Sequence, residues 1–263
     1  ITQPFNFIAT AEAVYDCGAT IRYTDMDNGL FMCPDSLSKK LNKRTKAVII
    51  VHMLGMGGNV CEIQAICKDK GVYLIEDNCE SMGAKYNDQA LGTFGDIGIL
   101  SFDHGKTLTT GEGGAILTHK ERIYKDFLSY IDHGHAHIES LPRGSDLVRY
   151  PGFNYRMTEI QGAIGKEQLA KLAKMLKCAK QRYEAICAHL NDTPNLRNPS
   201  GIGKYTPSYD TLMLTGIERK RDDIMSVIDS YGLSTKNIPD AMRWHCAYYW
   251  RHINGPNHPD DLE

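Results

Sequence analysis

Four short apolar runs, at 46–53, 72–75, 97–102 and 115–118, recur along the first half of the chain, separated by segments with helical periodicity or turn composition. Runs this short and this rich in Val, Ile and Leu suit strands buried on both faces. Between the first two, Ile63, Ile66 and Cys67 have helical spacing, with Asn59 placed to cap the helix and Gly71 to end it. Residues 20–24 read as a further strand. Strands alternating with helices predict an α/β chain whose mixed, mostly parallel sheet is flanked by helices. In such sheets ligands gather at the carboxyl ends of the strands.

Beyond Tyr155 the pattern changes. Residues 157–190 form one long helical stretch, with Ile160, Ala163, Ile164, Leu169, Leu172 and Leu176 giving a broad apolar face. A Pro-, Gly- and Asn-rich loop follows at 193–203, then a strand-like segment at 208–214 and an amphipathic helix at 219–231. This predicts a large domain over 1–192, with its N-terminus missing, and part of a smaller C-terminal α/β lobe over 204–263.

The formal net charge is −2, and no basic block calls for nucleic acid. The apolar runs are far too short to cross a bilayer. Eight cysteines lie scattered, without a repeated Cys-x-x-Cys, and read as reduced thiols of a cytoplasmic protein.

The segment Ser101-Phe-Asp-His-Gly-Lys106-Thr-Leu-Thr-Thr-Gly-Glu-Gly-Gly114 sets one lysine between a strand and a tight turn. Asp77 lies 24 residues before Ser101, at the end of another apolar run. An amine that can form a Schiff base, with a carboxylate at a neighbouring strand end, is what pyridoxal phosphate chemistry needs: the amine holds the aldehyde, and the carboxylate keeps the pyridine nitrogen protonated. Taken singly, each residue has a plainer reading. A lysine before a Gly-rich turn is usually solvated, Asp77 could cap a helix, Phe7 could be core, and Asn154 after Gly152 could form a turn. His133, His135 and His137 would share one face of a strand at a spacing compatible with zinc or iron. Their Gly-, Pro- and Ser-rich surroundings instead predict a loop lining a substrate mouth, with no metal. Gly55-Met-Gly-Gly58 lacks the third spaced glycine of a dinucleotide loop.

Taken together, Phe7-Ile-Ala-Thr10, Gly18-Ala-Thr20, Ile75-Glu-Asp77, the Ser101–Gly114 run and Gly152-Phe-Asn-Tyr-Arg-Met157 resemble the DegT/DnrJ/EryC1/StrS sugar aminotransferases, in order from about residue 2 to residue 175. The resemblance implies a fold-type-I, pyridoxal-phosphate-dependent enzyme. Lys106 matches the lysine that binds the cofactor and then moves the substrate proton, and Asp77 matches the partner of the pyridine nitrogen. Phe7 stands where an aromatic ring stacks on the cofactor, and Ser101 where a hydroxyl contacts its phosphate. Glu80 stands near the cofactor's 3-hydroxyl. Asn154 matches the asparagine that reaches the neighbouring subunit's phosphate, which implies a homodimer with shared sites.

The chemistry so implied is a two-stage transfer of an amino group from an amino acid, with glutamate expected, to a keto- or aldehydo-sugar. Relatives with histidine at the lysine position perform dehydration; Lys106 argues for aminotransfer. The stretches Asp132-His-Gly-His135, Leu141-Pro-Arg-Gly-Ser-Asp146 and the segment from Ile238 to Tyr248 resemble the branch that aminates C8 of 3-deoxy-octulosonate for lipopolysaccharide, where Arg143, Arg149 or Arg156 would suit the acceptor's carboxylate. The competing acceptor is a nucleotide-linked keto-hexose. Members of the family also carry a phosphate loop upstream of the Phe7 motif, which these residues do not include. A non-catalytic paralogue acting as a scaffold is the alternative from another class.

Overall fold

The computed structural model of the chain describes residues 1–190, 205–214, 221–233, 235 and 238–254. Among them run the strands β1 (Ala47–Val51), β2 (Tyr73–Asp77), β3 (Lys85–Tyr86), β4 (Gln89–Ala90), β5 (Ile97–Ser101), β6 (Gly114–Leu117) and β7 (Tyr205–Thr206). The helices are α1 (Ile8–Asp16), α2 (Pro34–Lys40), α3 (Val60–Lys70), α4 (Glu121–Tyr130), α5 (Glu159–Leu190), α6 (Arg221–Ser230), α7 (Ile238–His245) and α8 (Arg251–Asn254). The main sheet has the order β1–β2–β5–β6, parallel across its first three strands and antiparallel at β6. All four apolar runs of the first half thus became neighbouring strands, in the mixed, mostly parallel α/β arrangement they predict.

Strand alternation decides which side chains enter the core. Val48 and Ile50 of β1 and Leu74 of β2 are buried with Val60, Ile63 and Cys67 of α3 and with Met32 and Leu37. This cluster fastens α2 and α3 to one face of the sheet. Gly71 ends α3 at φ 64°, its N–H bonding the carbonyls of Cys67 and Lys68. That left-handed conformation suits glycine best.

Some expectations resolve differently. Asn59 begins α3 in the left-handed region and makes no capping bond; its Nδ2 donates to Asp27 Oδ2 at 2.7 Å and to the Met32 carbonyl. The asparagine ties two loops together instead. Residues 20–24 form no strand: only Tyr23 bridges to Thr2, which also bridges to Ile49 of β1. Residues 208–214 form none either. Ser208 Oγ donates to Asp210, Tyr209 has φ 64°, and the pairing falls two residues earlier, where β7 joins β3. His133 and His137 have φ of 56° and 51°, so the three histidines lie in a loop, as their composition predicts.

The boundary loop expected at 193–203 lies outside the described residues. Beyond it the chain returns to the main body. β7 completes a small sheet β4–β3–β7. Ala247 and Trp250 are buried with Ile8, Ala11 and Tyr23, and the Ala247 N–H bonds the Pro4 carbonyl. No helix among the described residues is long and apolar enough to cross a membrane. Among the described residues, no disulfide joins any of the eight cysteines.

Candidate functional site

Asp77 closes β2, in register with Val51 of β1 and Ile99 of β5. The ladder runs one step further on both sides, with His52 N–H bonding the Asp77 carbonyl and Asn78 N–H bonding the Ile99 carbonyl. The carboxylate therefore projects from a backbone held on both edges. Its Oδ2 accepts the Thr10 hydroxyl at 2.7 Å, and its Oδ1 accepts the Cys79 N–H at 3.2 Å.

Lys106 follows β5 on the neighbouring strand end. Ser101, the last residue of β5, accepts the Asp103 N–H on its hydroxyl. Asp103 Oδ1 accepts the Gly105 N–H, and its carbonyl accepts the Lys106 N–H, making the turn that carries the lysine. The Phe102 carbonyl receives both the N–H of Thr110 and the hydroxyl of Thr109, which closes the loop behind Lys106. Gly111 and Gly113, at φ 85° and 147°, take conformations that side chains rarely adopt. Much of the Thr/Gly pattern thus shapes the turn.

The two strand ends meet through Glu80. Its Oε1 lies 4.0 Å from Lys106 Nζ, and both side chains are about a quarter exposed, 23 % and 25 %. Glu80 is tied to the loop that follows β1, because its carbonyl accepts the Gly55 N–H. Cys79 lies between the two carboxylates. Burial first, then the charge of Asp77, pushes its thiol far up, with Lys106 opposing. The thiol stays protonated and is no competing nucleophile.

Phe7 is the N-cap residue of α1, one turn from Thr10, whose N–H bonds the Phe7 carbonyl. Its ring is 43 % exposed, stacked at 11° on Trp244 with 5.5 Å between its centroid and that of His245. Phe7, Asp77, Glu80, Ser101 and Lys106 thus sit on elements joined at the carboxyl edge of the sheet. Among the described residues, no hydrogen bond or ion pair ties Asn154 to them. It is exposed and bridges to Asp132, which also pairs with Arg156.

Sequence reasoning missed Thr10 and the clamp on the lysine loop, where Thr107 Oγ1 donates to Asp210 Oδ2 at 3.1 Å. Thr10 lies three residues after Phe7, on the same side of a helix, but its bond to Asp77 spans 67 residues. The Asp210 contact spans 103 residues and leaves no local trace. The set fits the cofactor: an amine, a carboxylate and a half-open aromatic face, at the strand ends where such ligands lie.

The DegT/DnrJ/EryC1/StrS aminotransferase family profile matches residues 1–254. The GDP-perosamine synthase of Escherichia coli O157:H7 is 36 % identical over 98 % of this chain and 73 % of its own length. That of Vibrio cholerae is 29 % identical over 90 % of this chain and 64 % of its own length. Among solved structures, E. coli GDP-4-keto-6-deoxy-D-mannose-3-dehydratase with bound hydrated PLP superposes with a TM-score of 0.79 at 27 % identity, covering 93 % of this chain and 68 % of that one. The chain therefore spans between about two thirds and three quarters of these proteins.

Proposed function

The chain belongs to the DegT/DnrJ/EryC1/StrS aminotransferase family, and from that premise we propose that the protein moves an amino group from an amino acid, glutamate expected, to a keto- or aldehydo-sugar, with pyridoxal phosphate as cofactor. The observation that carries this reading is the convergence of Lys106, Glu80 and Asp77 at adjacent strand ends. Bound there, pyridoxal phosphate supplies an aldehyde to hold amines and a ring that takes up the electron pair of the donor's α-carbon.

The residues divide the remaining work. Lys106 would hold the cofactor through its amine and, with that amine free, would carry the proton to and from the donor's α-carbon. Glu80, 4.0 Å from that amine, orients it. Asp77 would partner the ring nitrogen, Phe7 would cover one ring face and Ser101 would hold the phosphate. Asn154 would serve the phosphate of a second subunit. The exposed run Phe153, Tyr155, Met157, Ile160 and Ile164 beside it supports a homodimer with shared sites. Eight cysteines with no disulfide among them support a cytoplasmic location.

For the acceptor, the names of the relatives support a nucleotide-linked keto-hexose. The second reading, the C8 aldehyde of 3-deoxy-octulosonate, rests on the segments around Asp132, Arg143 and Ile238. There, Arg156 and Arg149 pair with this chain's own Asp132 and Asp126, so an acceptor carboxylate would have to compete for them.

The test is the visible absorption spectrum of the full-length protein before and after glutamate. A band that bleaches with glutamate, and is missing in Lys106→Ala, is the expected result. No band even after added pyridoxal phosphate would hand the lead to the scaffold reading. The bleached protein then reports the acceptor, since only the right sugar restores the band.

A further inference from the structure

Two residues bond the Asp77 carboxylate, and they differ in kind. Cys79, two residues along the same chain segment, offers a backbone N–H that any residue there would supply, with its thiol also against the carboxylate. Thr10 offers a side-chain hydroxyl from a different element, 67 residues away in sequence, and is itself only 7 % exposed. We propose that Thr10 is a positioning residue for Asp77, aiming the carboxylate at the ring nitrogen of the cofactor. The inference rests on the pyridoxal phosphate reading above.

The geometry supports it in two ways. A carboxylate has about four lone-pair positions on two oxygens. Protein donors on both oxygens fix the group's rotation and leave the remaining positions pointing one way. A charge oriented in advance needs no rearrangement when a ring cation arrives. The same hydroxyl also joins α1 to β2. Because Phe7 precedes Thr10 by one turn of α1, the bond sets the aromatic cover and the nitrogen partner in one register. The ring face and the ring nitrogen are then held by a single rigid unit.

The experiment compares Thr10→Val, which keeps the shape and removes the donor, with Thr10→Ser, which keeps the donor, in the full-length protein. Each variant is titrated with pyridoxal phosphate and with its 1-deaza analogue, whose ring has carbon in place of nitrogen. Thr10→Val is expected to bind pyridoxal phosphate about ten- to a hundredfold more weakly, and Thr10→Ser within about threefold of the original. The deficit of Thr10→Val should disappear with the deaza analogue, and the cofactor-free proteins should melt alike. Equal deficits with both compounds, or none with either, would overturn the proposal. If Thr10→Val does not fold, Thr10→Ala against Thr10→Ser carries the same comparison. Failure of the unaltered protein to bind either compound would sink the cofactor reading and this inference with it.

Discussion

Glu76 precedes Asp77 by one residue and, by strand alternation, faces the opposite side of the sheet. It is fully buried with His52, whose Nε2 lies 2.9 Å from Glu76 Oε2. The same carboxylate accepts the N–H groups of Gly92, Phe94 and Gly95 at 2.8, 2.6 and 2.6 Å. Burial alone would raise its pKa, but the hydrogen bond and charge of His52 and the N–H groups of Gly95 and Gly92 win, leaving it below its ordinary value of 4.5. A carboxyl depressed on folding gives stability that is fully present above the unfolded value and lost as pH falls through the folded one. Urea unfolding midpoints should therefore hold near neutrality and decline below about pH 4.5. Glu76→Gln should flatten part of that decline and lower stability at pH 7 by roughly 2–4 kcal/mol, since the N–H groups lose a charged acceptor. An unchanged acid profile in Glu76→Gln would assign the acid sensitivity to other groups.

At the scale of elements, the loop those N–H groups belong to lies directly over β5. Gly98 pairs with Glu76 on one side and Leu117 on the other, and a Cβ built on it would fall 2.0 Å from the Gly92 carbonyl oxygen. That neighbour is backbone, held by Glu76, so it cannot swing aside. Gly98→Ala should cost about 3 kcal/mol, read as a lowered midpoint in denaturant, while a cost under about 0.5 kcal/mol would mean that the 92–95 loop yields freely. The same elements explain what could be read in advance. β1, β2 and β5 announce themselves because continuous apolar runs bounded by turns are what a doubly covered sheet requires. Strands β3, β4 and β7 are two residues each, too short for any period to show, and β7 is defined only by its pairing with β3 more than a hundred positions away. That Lys106 and Asp77 lie at neighbouring strand ends was legible from the apolar runs before them, whereas Glu80 came only from the family resemblance. Thr10 was overlooked because its role exists only once α1 is laid against β2, and Asn59 was misassigned because its side chain answers to Asp27.

Across the whole molecule, the long helix α5 is where patterning and burial part company. Its apolar positions suit a core helix, yet Ile160, Ile164 and Leu169 are exposed, and Tyr183 is the one buried residue among those described in it. Just before it, Phe153, Tyr155 and Met157 are exposed as well, with Phe153 and Tyr155 stacked at 17° and Tyr130 against both. Scattered apolar residues on a surface are ordinary, whereas this many aromatic and branched side chains in one stretch support the association face proposed above. A stable dimer interface buries about 1,200–2,000 Å² in all, which aromatic anchors of this kind help supply. Asn154 lies within that stretch, so a second copy docked here brings a polar side chain of one chain to the edge of the other, as the shared-site proposal requires. Light scattering of the full-length protein should give twice the chain mass. Ile160→Asp, a charge set at the centre of the face, should shift the population to monomer and reduce turnover at least about tenfold, given that truncating interface anchors costs 2 kcal/mol or more. Its thermal midpoint as a monomer should nevertheless stay measurable, because the clusters around Val48 and around Trp250 do not include this face. A dimer that survives the aspartate would place the interface elsewhere. A monomer that keeps full activity would show that each chain completes its own phosphate site, and would remove Asn154 from the shared set.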